Sequence, residues 1–413
     1  MQIGLAGAKR GAVAIGVVKP PCGCWSYRVV GLARVAGVDP GTGSMDILVI
    51  DDEDLSVLEE HVIPRDKVTE DPGLPLRILL DAHRRYGLEA VVAPSGYGLP
   101  LKPARKASPE ELGEATFIHP RDEVRRLRIV GLRRLMWLIK QSTLPAWFTP
   151  GVIHLPTVPR WRKLNRIDLG TADKLFTVAA ALRDEVEIHG SPVGEATFIV
   201  VEAGMAYNAF IAVEGGRVVD GLGGTYAFPG FLGMGFMDAE LAYALSAVDP
   251  GFSKHRLFQG GAAGIAGVKT PEELGEALRE GREEAEDAAR LLEESVAKGV
   301  AALLAVVRNP NRVYLSGRLF RAPVVGQRLK KAVESLLAEL GVDAKVSWVT
   351  RIGRATKEGA TGAALIASGL AGGRYEWLVD SLKLRESRGS IFDHLRLDGE
   401  VEAAIRRLFR RPP

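Results

Sequence analysis

The pattern of apolar and polar positions repeats itself along the chain. Residues 35–38 and 46–51 predict two buried strands joined by a tight, glycine-rich turn. Residues 196–201 and 207–213 predict a second pair of strands with a small-residue turn between them. A duplicated pair of domains, with a binding cleft between the two copies, would produce this repetition.

Other strands and helices complete each half. In the first half, the apolar spacing predicts strands at residues 56–63, 89–93 and 152–155 and helices at 76–86, 125–141 and 171–186. In the second half, it predicts strands at residues 217–220, 312–316 and 345–349 and helices at 270–307, 322–340 and 357–368. The longest helix has a clear start, because Thr270 can cap it and Pro271 suits its first position. We therefore expect an α/β protein with a mixed sheet and flanking helices in each half.

Composition excludes several classes of function. The chain has 413 residues, of which 46% are hydrophobic and 25% charged, as in an ordinary soluble protein of two domains. A net charge of +3 is too small to indicate nucleic acid or a membrane as the main partner. No apolar run reaches the length of about 18 residues that spans a bilayer. The arginine-rich face of helix 125–141 lacks interleaved aromatic residues, so we interpret it as a solvated surface rather than a nucleic-acid stripe.

The N-terminal residues differ from the rest of the chain. Residues 1–27 contain no acidic residue, and we interpret residues 1–33 as a mobile extension or the result of a start codon placed too far upstream. A signal peptide is the alternative, although Lys19 and the prolines after it interrupt any apolar stretch. Cys22 and Cys24 are too close together for a zinc site or a disulfide framework, which favours a reducing compartment, the cytoplasm.

The first candidate site is the turn after the first predicted strand. Its sequence is Asp39-Pro40-Gly41-Thr42-Gly43-Ser44. Gly41 and Gly43 can adopt positive φ, which lets backbone N–H groups converge on an anion, and Thr42 and Ser44 add hydroxyl donors. Asp39, at the strand end, can hold Mg²⁺ through water. An ordinary hairpin turn has the same composition, so this turn alone leaves both interpretations open.

Later loops favour phosphate binding. Glu202 ends its strand as Asp39 does, and Gly204 follows it, so two acidic strand ends are able to face one metal–phosphate group. A second flexible loop with a hydroxyl contains Gly223, Gly224 and Thr225. Gly317 follows strand 312–316 and precedes a helix, which suits backbone contact with an adenosine. Each loop alone has a structural explanation, but their order and spacing together indicate a nucleotide site.

These motifs resemble those of the acetate and sugar kinase/Hsp70/actin superfamily. Residues 38–44 look like its first phosphate motif, residues 198–204 with 220–225 like the second, and residues 313–318 like the adenosine motif. Within the superfamily, the chain is most similar to an archaeal group of predicted butyrate kinases, in which the run 167–174 is also typical. The small-residue run 359–369 resembles the final helix that packs in the interdomain region.

The resemblance implies two actin-like ATPase domains of the ribonuclease H-like type that close over ATP and Mg²⁺. The implied boundaries are domain I at 34–190, domain II with the final helix at 191–373, and a C-terminal helical extension at 374–413. It assigns the metal to Asp39 and Glu202, and the ATP phosphates and adenosine to Gly41, Thr42, Gly43, Ser44, Gly204, Gly223, Gly224, Thr225 and Gly317.

Asp173 is the third implied catalytic residue, beside Asp39 and Glu202. The resemblance places an acidic residue of the first domain near the transferred phosphate, where it can orient or deprotonate an acceptor hydroxyl or hold Mg²⁺. The alternative is that Asp173 only stabilises the first turn of its helix. Lys174 can neutralise phosphate charge or be a surface lysine, and Asp168 is equally open.

The favoured acceptor is a small carboxylate, as in a butyrate kinase. A carboxylate is ionised at neutral pH and needs cations, for which Arg160, Arg162 and Arg166 are candidates. A hydroxyl-bearing metabolite, with Asp173 as base, is the alternative, because residues 201–204 lack the histidine of true acetate and butyrate kinases. An ATPase switch or scaffold without a small acceptor is a further alternative. The expected partner is the small acceptor, without nucleic acid or membrane, and a homodimer is the candidate assembly.

Overall fold

The structure is a computed structural model that describes residues 33–124, 128–249 and 252–411. Cys22, Cys24, Arg125, Arg126 and the predicted N-terminal extension, apart from its last residue, lie outside the described residues. The statements below refer to the described part of the chain.

Two sheets form the centre of the protein. The first sheet comprises β1 (Arg34–Asp39), β2 (Ser44–Asp51), β3 (Val57–Pro64), β4 (Ala90–Val92), β5 (Lys102–Pro103) and β6 (Ala146–Phe148). The second comprises β7 (Phe198–Ala203), β8 (Asn208–Glu214), β9 (Arg217–Leu222), β10 (Arg312–Ser316) and β11 (Lys345–Trp348).

The two sheets share one topology. The strand order is β3-β2-β1-β4-β6-β5 in the first sheet and β9-β8-β7-β10-β11 in the second. In each, three antiparallel hairpin strands are followed by two strands parallel to the first one. The short β5 is an antiparallel addition at one edge. The repeated hairpin pattern in the sequence is therefore a repeated sheet, and β1 and β7 occupy equivalent central positions.

Helices cover both faces of each sheet. In the first half they are α1 (Arg65–Glu70), α2 (Leu74–Tyr86), α3 (Pro109–Thr116), α4 (Pro120–Val124), α5 (Arg128–Gln141), α6 (Arg160–Lys163) and α7 (Ala172–Arg183). Those that follow are α8 (Ala239–Val248), α9 (Ala262–Ala266), α10 (Pro271–Arg279), α11 (Glu283–Leu304), α12 (Arg318–Arg321), α13 (Pro323–Glu339), α14 (Glu358–Leu370), α15 (Glu376–Ser381) and α16 (Gly399–Phe409).

Three details differ from the sequence expectations. The expected helix 270–307 is two helices, because Gly281 takes a left-handed φ of 74° between α10 and α11. Residues 152–155 form a tight 3₁₀ turn rather than a strand, and their buried apolar side chains fill the core from that turn. Arg133 does not belong to a solvated face, since it is buried and its Nη1 donates to Glu123 at 2.7 Å.

One hydrophobic core spans both halves. It contains inner-face residues of both sheets, together with α7, α14 and the C-terminal segment. Two further cores lie on the outer faces, one under α1, α2, α3 and α5, the other under α9, α10, α11 and α13. Because the central core has contributions from the first and second sheets, the two halves are not independent globules.

Helices α7 and α14 form the centre of that core. The last long helix, α14, packs on β1, β2 and β4 of the first sheet, whereas α7 contacts β7 and β8 of the second. The two helices also pack closely on each other. A Cβ on Gly362 would come 1.7 Å from the carbonyl oxygen of Phe176, and one on Gly37 would come 2.2 Å from the Ala364 nitrogen. Only hydrogen fits at these two contacts.

The C-terminal segment packs into the central core and onto helices of the first half. Leu378, Leu384 and Phe392 are fully buried in the central core. On α16, Phe409 stacks on Phe117 with ring centroids 4.0 Å apart, and the Arg410 Nε lies 3.4 Å from the Glu114 carboxylate. Residues 374–411 thus close over the first domain rather than extend away from it.

We expect Gly362→Ala to destabilise the protein, by about 1–3 kcal/mol or more, because the added methyl group overpacks the α7–α14 contact. Gly264→Ala is the matched control, since a Cβ at Gly264, on α9, meets open space. Chemical unfolding of both variants measures the difference. Equal stabilities would contradict the close contact of the two helices.

Candidate nucleotide-binding and phosphoryl-transfer site

A cavity opens between the two halves, where loops after β1, β7 and β10 converge. Its empty volume is about 1260 Å³, including the solvent at its open side. Most of the predicted site residues line it, namely Asp39, Gly41, Thr42, Gly43, Ser44, Asp173, Glu202, Gly204, Gly224, Thr225 and Gly317. Residues far apart in the sequence are therefore brought to one cleft by the duplicated sheets.

The turn between β1 and β2 forms one wall. Neither Gly41 nor Gly43 is among the residues with positive φ, so the turn does not use the left-handed conformation that glycine allows. The glycine at position 41 has a steric reason, because a Cβ there would come 2.5 Å from the Lys357 Nζ. That ammonium donates to the Ser44 carbonyl oxygen at 3.1 Å and lies 3.3 Å from the Asp39 carboxylate. The turn is thus fixed by a lysine from the loop before α14.

The opposite wall is an ion-paired cluster that joins the two halves. Lys174 Nζ donates to the Asp173 carboxylate at 2.7 Å and to the Glu202 carboxylate at 2.5 Å. Thr171 donates to Asp173 at 2.5 Å, and Thr177 donates to Glu202 at 2.8 Å. Lys174 is therefore no surface lysine, since it links the start of α7 to the end of β7 inside the cleft.

The pKa values of two carboxyl groups in the cleft, Asp39 and Asp173, are shifted in opposite directions. Burial raises the pKa of Asp39 to about 7, the Lys357 charge opposes this, and Asp173, Asp46 and Glu202 add to the increase. Burial also acts to raise the pKa of Asp173, but the Lys174 charge and hydrogen bonds outweigh it and lower the pKa overall. Asp39 therefore lies at a concentration of negative charge that a further cation would relieve, whereas Asp173 is held ionised.

Asp168 fixes the second glycine loop. Its carboxylate accepts hydrogen bonds from the Thr225 backbone nitrogen at 3.0 Å and the Thr225 hydroxyl at 2.9 Å. Gly223 lies behind the cavity wall against Asp168, where a Cβ would come 1.8 Å from the Oδ1 atom. Gly224 packs on the Tyr207 side chain. The role of Asp168, which the sequence left open, is to hold this loop of the second half against the first.

The third loop begins at Gly317, directly after β10. Gly317 has a φ of 103°, and a Cβ there would come 2.3 Å from the Ala203 carbonyl oxygen. This position therefore requires glycine. Gly204 follows Ala203 and its nitrogen donates to the Tyr207 carbonyl at 2.9 Å. The ends of β7 and β10 are thereby packed together at the cavity.

The three predicted acceptor arginines lie elsewhere. Arg160, Arg162 and Arg166 are not among the lining residues of the cavity. Arg162 donates to the Val219 carbonyl at 2.7 Å, and Arg166 stacks over the Tyr226 ring at 4.0 Å. The Arg162 and Arg166 side chains are occupied by contacts within the fold, and the structure brings none of the three arginines to the cleft.

Three lysines line the cavity, and two of them were not assigned to the site from the sequence. Lys357 was predicted only to be the first residue of a helix. Lys254 lies in a stretch where apolar residues do not recur at helix or strand spacing, so no element was predicted there. Lys254 is partly buried and faces Tyr97 and Phe117, with its Nζ 4.7 and 5.1 Å from the ring centroids. No sequence signal marked Tyr97 or Lys254, because their proximity depends on the folding of both halves.

The residues present fit a hydrated magnesium ion better than a metal held by protein alone. Among the described residues, no group of three or more His, Cys, Asp or Glu side chains is arranged to hold a metal. Mg²⁺ at phosphate-binding sites needs only one or two carboxylates, with water and phosphate oxygens as its other ligands. Asp39 and Glu202 satisfy this requirement in type and number, and the raised pKa of Asp39 shows where a cation is favoured.

The fold is of the actin-like ATPase type, as predicted, and matches those of solved acetate and propionate kinases. A propionate kinase from Francisella tularensis subsp. tularensis SCHU S4 has a TM-score of 0.57 at 15% identity, with 81% of this chain and 98% of that chain covered. Porphyromonas gingivalis acetate kinase has a TM-score of 0.56 at 12% identity, with the same coverages of 81% and 98%. Entamoeba histolytica acetate kinase gives 0.53 at 11% identity, with 75% and 86% covered.

The chain belongs to the DUF1464 family, a family of proteins of unknown function, whose model matches residues 37–397. No curated protein sequence matches it significantly. No helix in the described ranges has both the length and the apolar character needed to cross a membrane.

Asp39→Asn should stabilise the nucleotide-free protein at pH 8. A carboxyl with a raised pKa keeps its proton better when folded, so the wild type loses stability as pH rises from about 4 to about 7, and Asn does not titrate. We expect a gain of at least about 1 kcal/mol, the value of a one-unit pKa shift. The gain should shrink at pH 4.5.

Unfolding at pH 4.5 and pH 8 measures this difference. Asp343→Asn, at an exposed turn, is the control and should show no such dependence on pH. An Asp39→Asn variant that is less stable than the wild type at pH 8 would mean that its ion pair with Lys357 outweighs the cost of burial.

Proposed function

We propose that the protein is an ATP-dependent kinase that transfers the γ-phosphate to a small carboxylate. The observation that carries this proposal is the meeting of Asp39, Asp173 and Glu202 with the glycine-containing loops of both halves in one cleft. Phosphoryl transfer depends mainly on positioning and charge neutralisation, and a cleft with carboxylates, lysines and loop backbones on two walls supplies both.

The nucleotide is proposed to lie across the two halves. The β1–β2 turn with Thr42 and Ser44, and the loop with Gly224 and Thr225, would bind its phosphates. The close approach of β7 and β10 at Gly317 leaves backbone without side chains, which suits the adenosine side. These assignments follow the superfamily resemblance and are supported by the shared cavity.

Asp39 and Glu202 are proposed to hold Mg²⁺ through water and phosphate oxygens. When bound, the ion would neutralise charge on the phosphates and favour the ionised form of Asp39. Lys174 and Lys357 supply positive charge of the protein's own in the same cleft, so the proposed site does not depend on the ion alone.

The acidity of Asp173 supports a carboxylate acceptor. Held ionised by Lys174, Asp173 is a weak base, and it is better suited to orienting groups than to removing a hydroxyl proton. A carboxylate has no proton to lose. In the proposed step, its oxygen forms a new bond to the γ-phosphorus, the bond to the β,γ-bridging oxygen breaks, and ADP leaves with that electron pair.

A hydroxyl-bearing acceptor is the second candidate, because residues 201–204 lack the histidine of true acetate and butyrate kinases. In that case the hydroxyl proton would pass to a carboxylate of the cleft as the new bond forms. An ATPase switch or scaffold is the third, and its basal ATP hydrolysis would not respond to any small acceptor.

ADP formation, measured with and without a panel of small carboxylates and alcohols, tests the proposal. We expect at least one carboxylate to raise the rate well above the basal value. Stimulation by alcohols alone would favour the second candidate. ATP binding without any stimulation would favour the switch.

Asp39→Asn and Asp173→Asn should each lower acceptor-dependent turnover by at least about tenfold, which corresponds to about 1.4 kcal/mol of activation barrier. Both remove a charge that positions phosphate, metal or acceptor. Asp343→Asn should keep the wild-type rate, because this exposed turn is outside the residues that line the cleft. Near-normal rates in the two cleft variants, with the fold intact by circular dichroism, would contradict the site assignment.

A further inference from the structure

We propose that Lys254 is the residue that recognises the acceptor, by binding an anionic group of that acceptor between the Tyr97 and Phe117 rings and the phosphate loops. This inference rests on the proposed kinase function and adds to it a specificity-determining residue. The role of binding the acceptor, which was predicted from the sequence for three arginines, is assigned instead to a side chain that lines the cleft.

The position of Lys254 is fixed from both ends of the side chain. Its backbone nitrogen donates to the Asp122 carboxylate at 3.0 Å, which attaches this segment of the second half to α4 of the first. At the other end, the Nζ donates to the Thr116 carbonyl at 3.3 Å and to the Tyr97 hydroxyl at 3.4 Å. The ammonium is therefore held in place over the two aromatic rings.

Among the residues that the structure describes, Lys254 has no direct counterion, unlike the other two lysines in the cavity. Lys174 and Lys357 each lie within 4 Å of two carboxylates. Lys254 takes part in none of the ion pairs found among the described residues, and the two oxygens it contacts are neutral. An ammonium has three donors, so one remains for a ligand.

Burial makes this charge costly. It lowers the pKa of Lys254 to about 8, although the more distant charges of Asp122 and Asp168 act in the opposite direction. A bound anion would compensate the buried ammonium and make the charged form favourable again. The two rings leave an apolar surface beside the ammonium, which suits the carbon chain of a small acid.

Two kinds of acceptor carry a carboxylate that Lys254 would recognise. They differ in the group that receives the phosphate. In propionate, the recognised group is also the one that is phosphorylated, and the product is an acyl phosphate that reacts with hydroxylamine. In glycerate, Lys254 would bind the carboxylate while a hydroxyl receives the phosphate, and the product is an ester that does not react. Hydroxylamine trapping of the product separates the two cases.

The test compares binding of acids with binding of their neutral counterparts. Isothermal titration gives dissociation constants of propionate, propan-1-ol, glycerate and glycerol for protein saturated with Mg²⁺ and a non-hydrolysable ATP analogue. The wild type should bind at least one acid at least tenfold more tightly than its alcohol. Lys254→Met should remove this preference, and its dissociation constant for the analogue should change less than twofold.

A charge-preserving variant separates recognition from packing. Lys254→Arg should retain the preference for acids, whereas the second neutral variant, Lys254→Gln, should lose it as Lys254→Met does. Acid binding by the wild type should weaken as pH rises through about 8, the value for Lys254, and Lys254→Arg should not show this loss. Of the groups that face Lys254, Tyr97 has a pKa held well above its usual value of 10 by burial, and the others are the carboxylates Asp122 and Asp168.

Several results would overturn the proposal. Acids that bind no better than alcohols to the wild type would contradict it, as would acids that bind equally well to the wild type and both neutral variants. Equal weakening of the ATP analogue in Lys254→Met would assign the lysine to the nucleotide phosphates instead. Failure of the wild type to bind the analogue is a separate result, seen in the first titration, and it would contradict the kinase function itself.

Discussion

The rest of the structure depends on the close contact of α14 with β1 on one side and α7 on the other. Gly37 and Gly362 remove the side chains that would keep these three elements apart. Because α14 packs on the first sheet and α7 on the second, this contact joins the two halves through one continuous core. The C-terminal segment adds Leu378 and Phe392 to the same core.

The geometry of the site depends on that contact. Asp39 ends β1, and its carboxylate lies against Gly359 in the first turn of α14, where a Cβ would come 2.6 Å from an oxygen. Asp173 lies in the first turn of α7, and Lys357 immediately precedes α14. The charged side chains thus project from the ends of the three elements that meet at Gly37 and Gly362. A change in packing there would alter the distances between opposite charges in the cleft.

Local signals in the sequence predicted most of the fold and part of the site. Alternating strands and turn glycines identified both hairpins, and with them Asp39, Glu202 and Gly317. They did not identify β6, which has only three residues, nor the break at Gly281, since one glycine in an apolar stripe also fits a continuous helix. Tyr97 and Lys254 were missed because no local sequence motif surrounds either of them. Only the packing of the two halves places them together. For the same reason, the arginines near the motif 167–174 looked suitable although none of them lines the cleft.

Charge is distributed unevenly within the cleft. On the walls where phosphates are proposed to bind, each lysine is compensated by carboxylates, so incoming phosphate competes with existing ion pairs and a metal ion is favoured beside Asp39. At Lys254, which is partly buried, the groups of the described chain within hydrogen-bonding distance are neutral oxygens, and aromatic rings lie beside them. An electrically paired region and an unpaired cation in one cavity favour different ligands. The first favours a metal-bound polyphosphate and the second a small anion, which is the pair of reactants that a kinase of carboxylates must hold together.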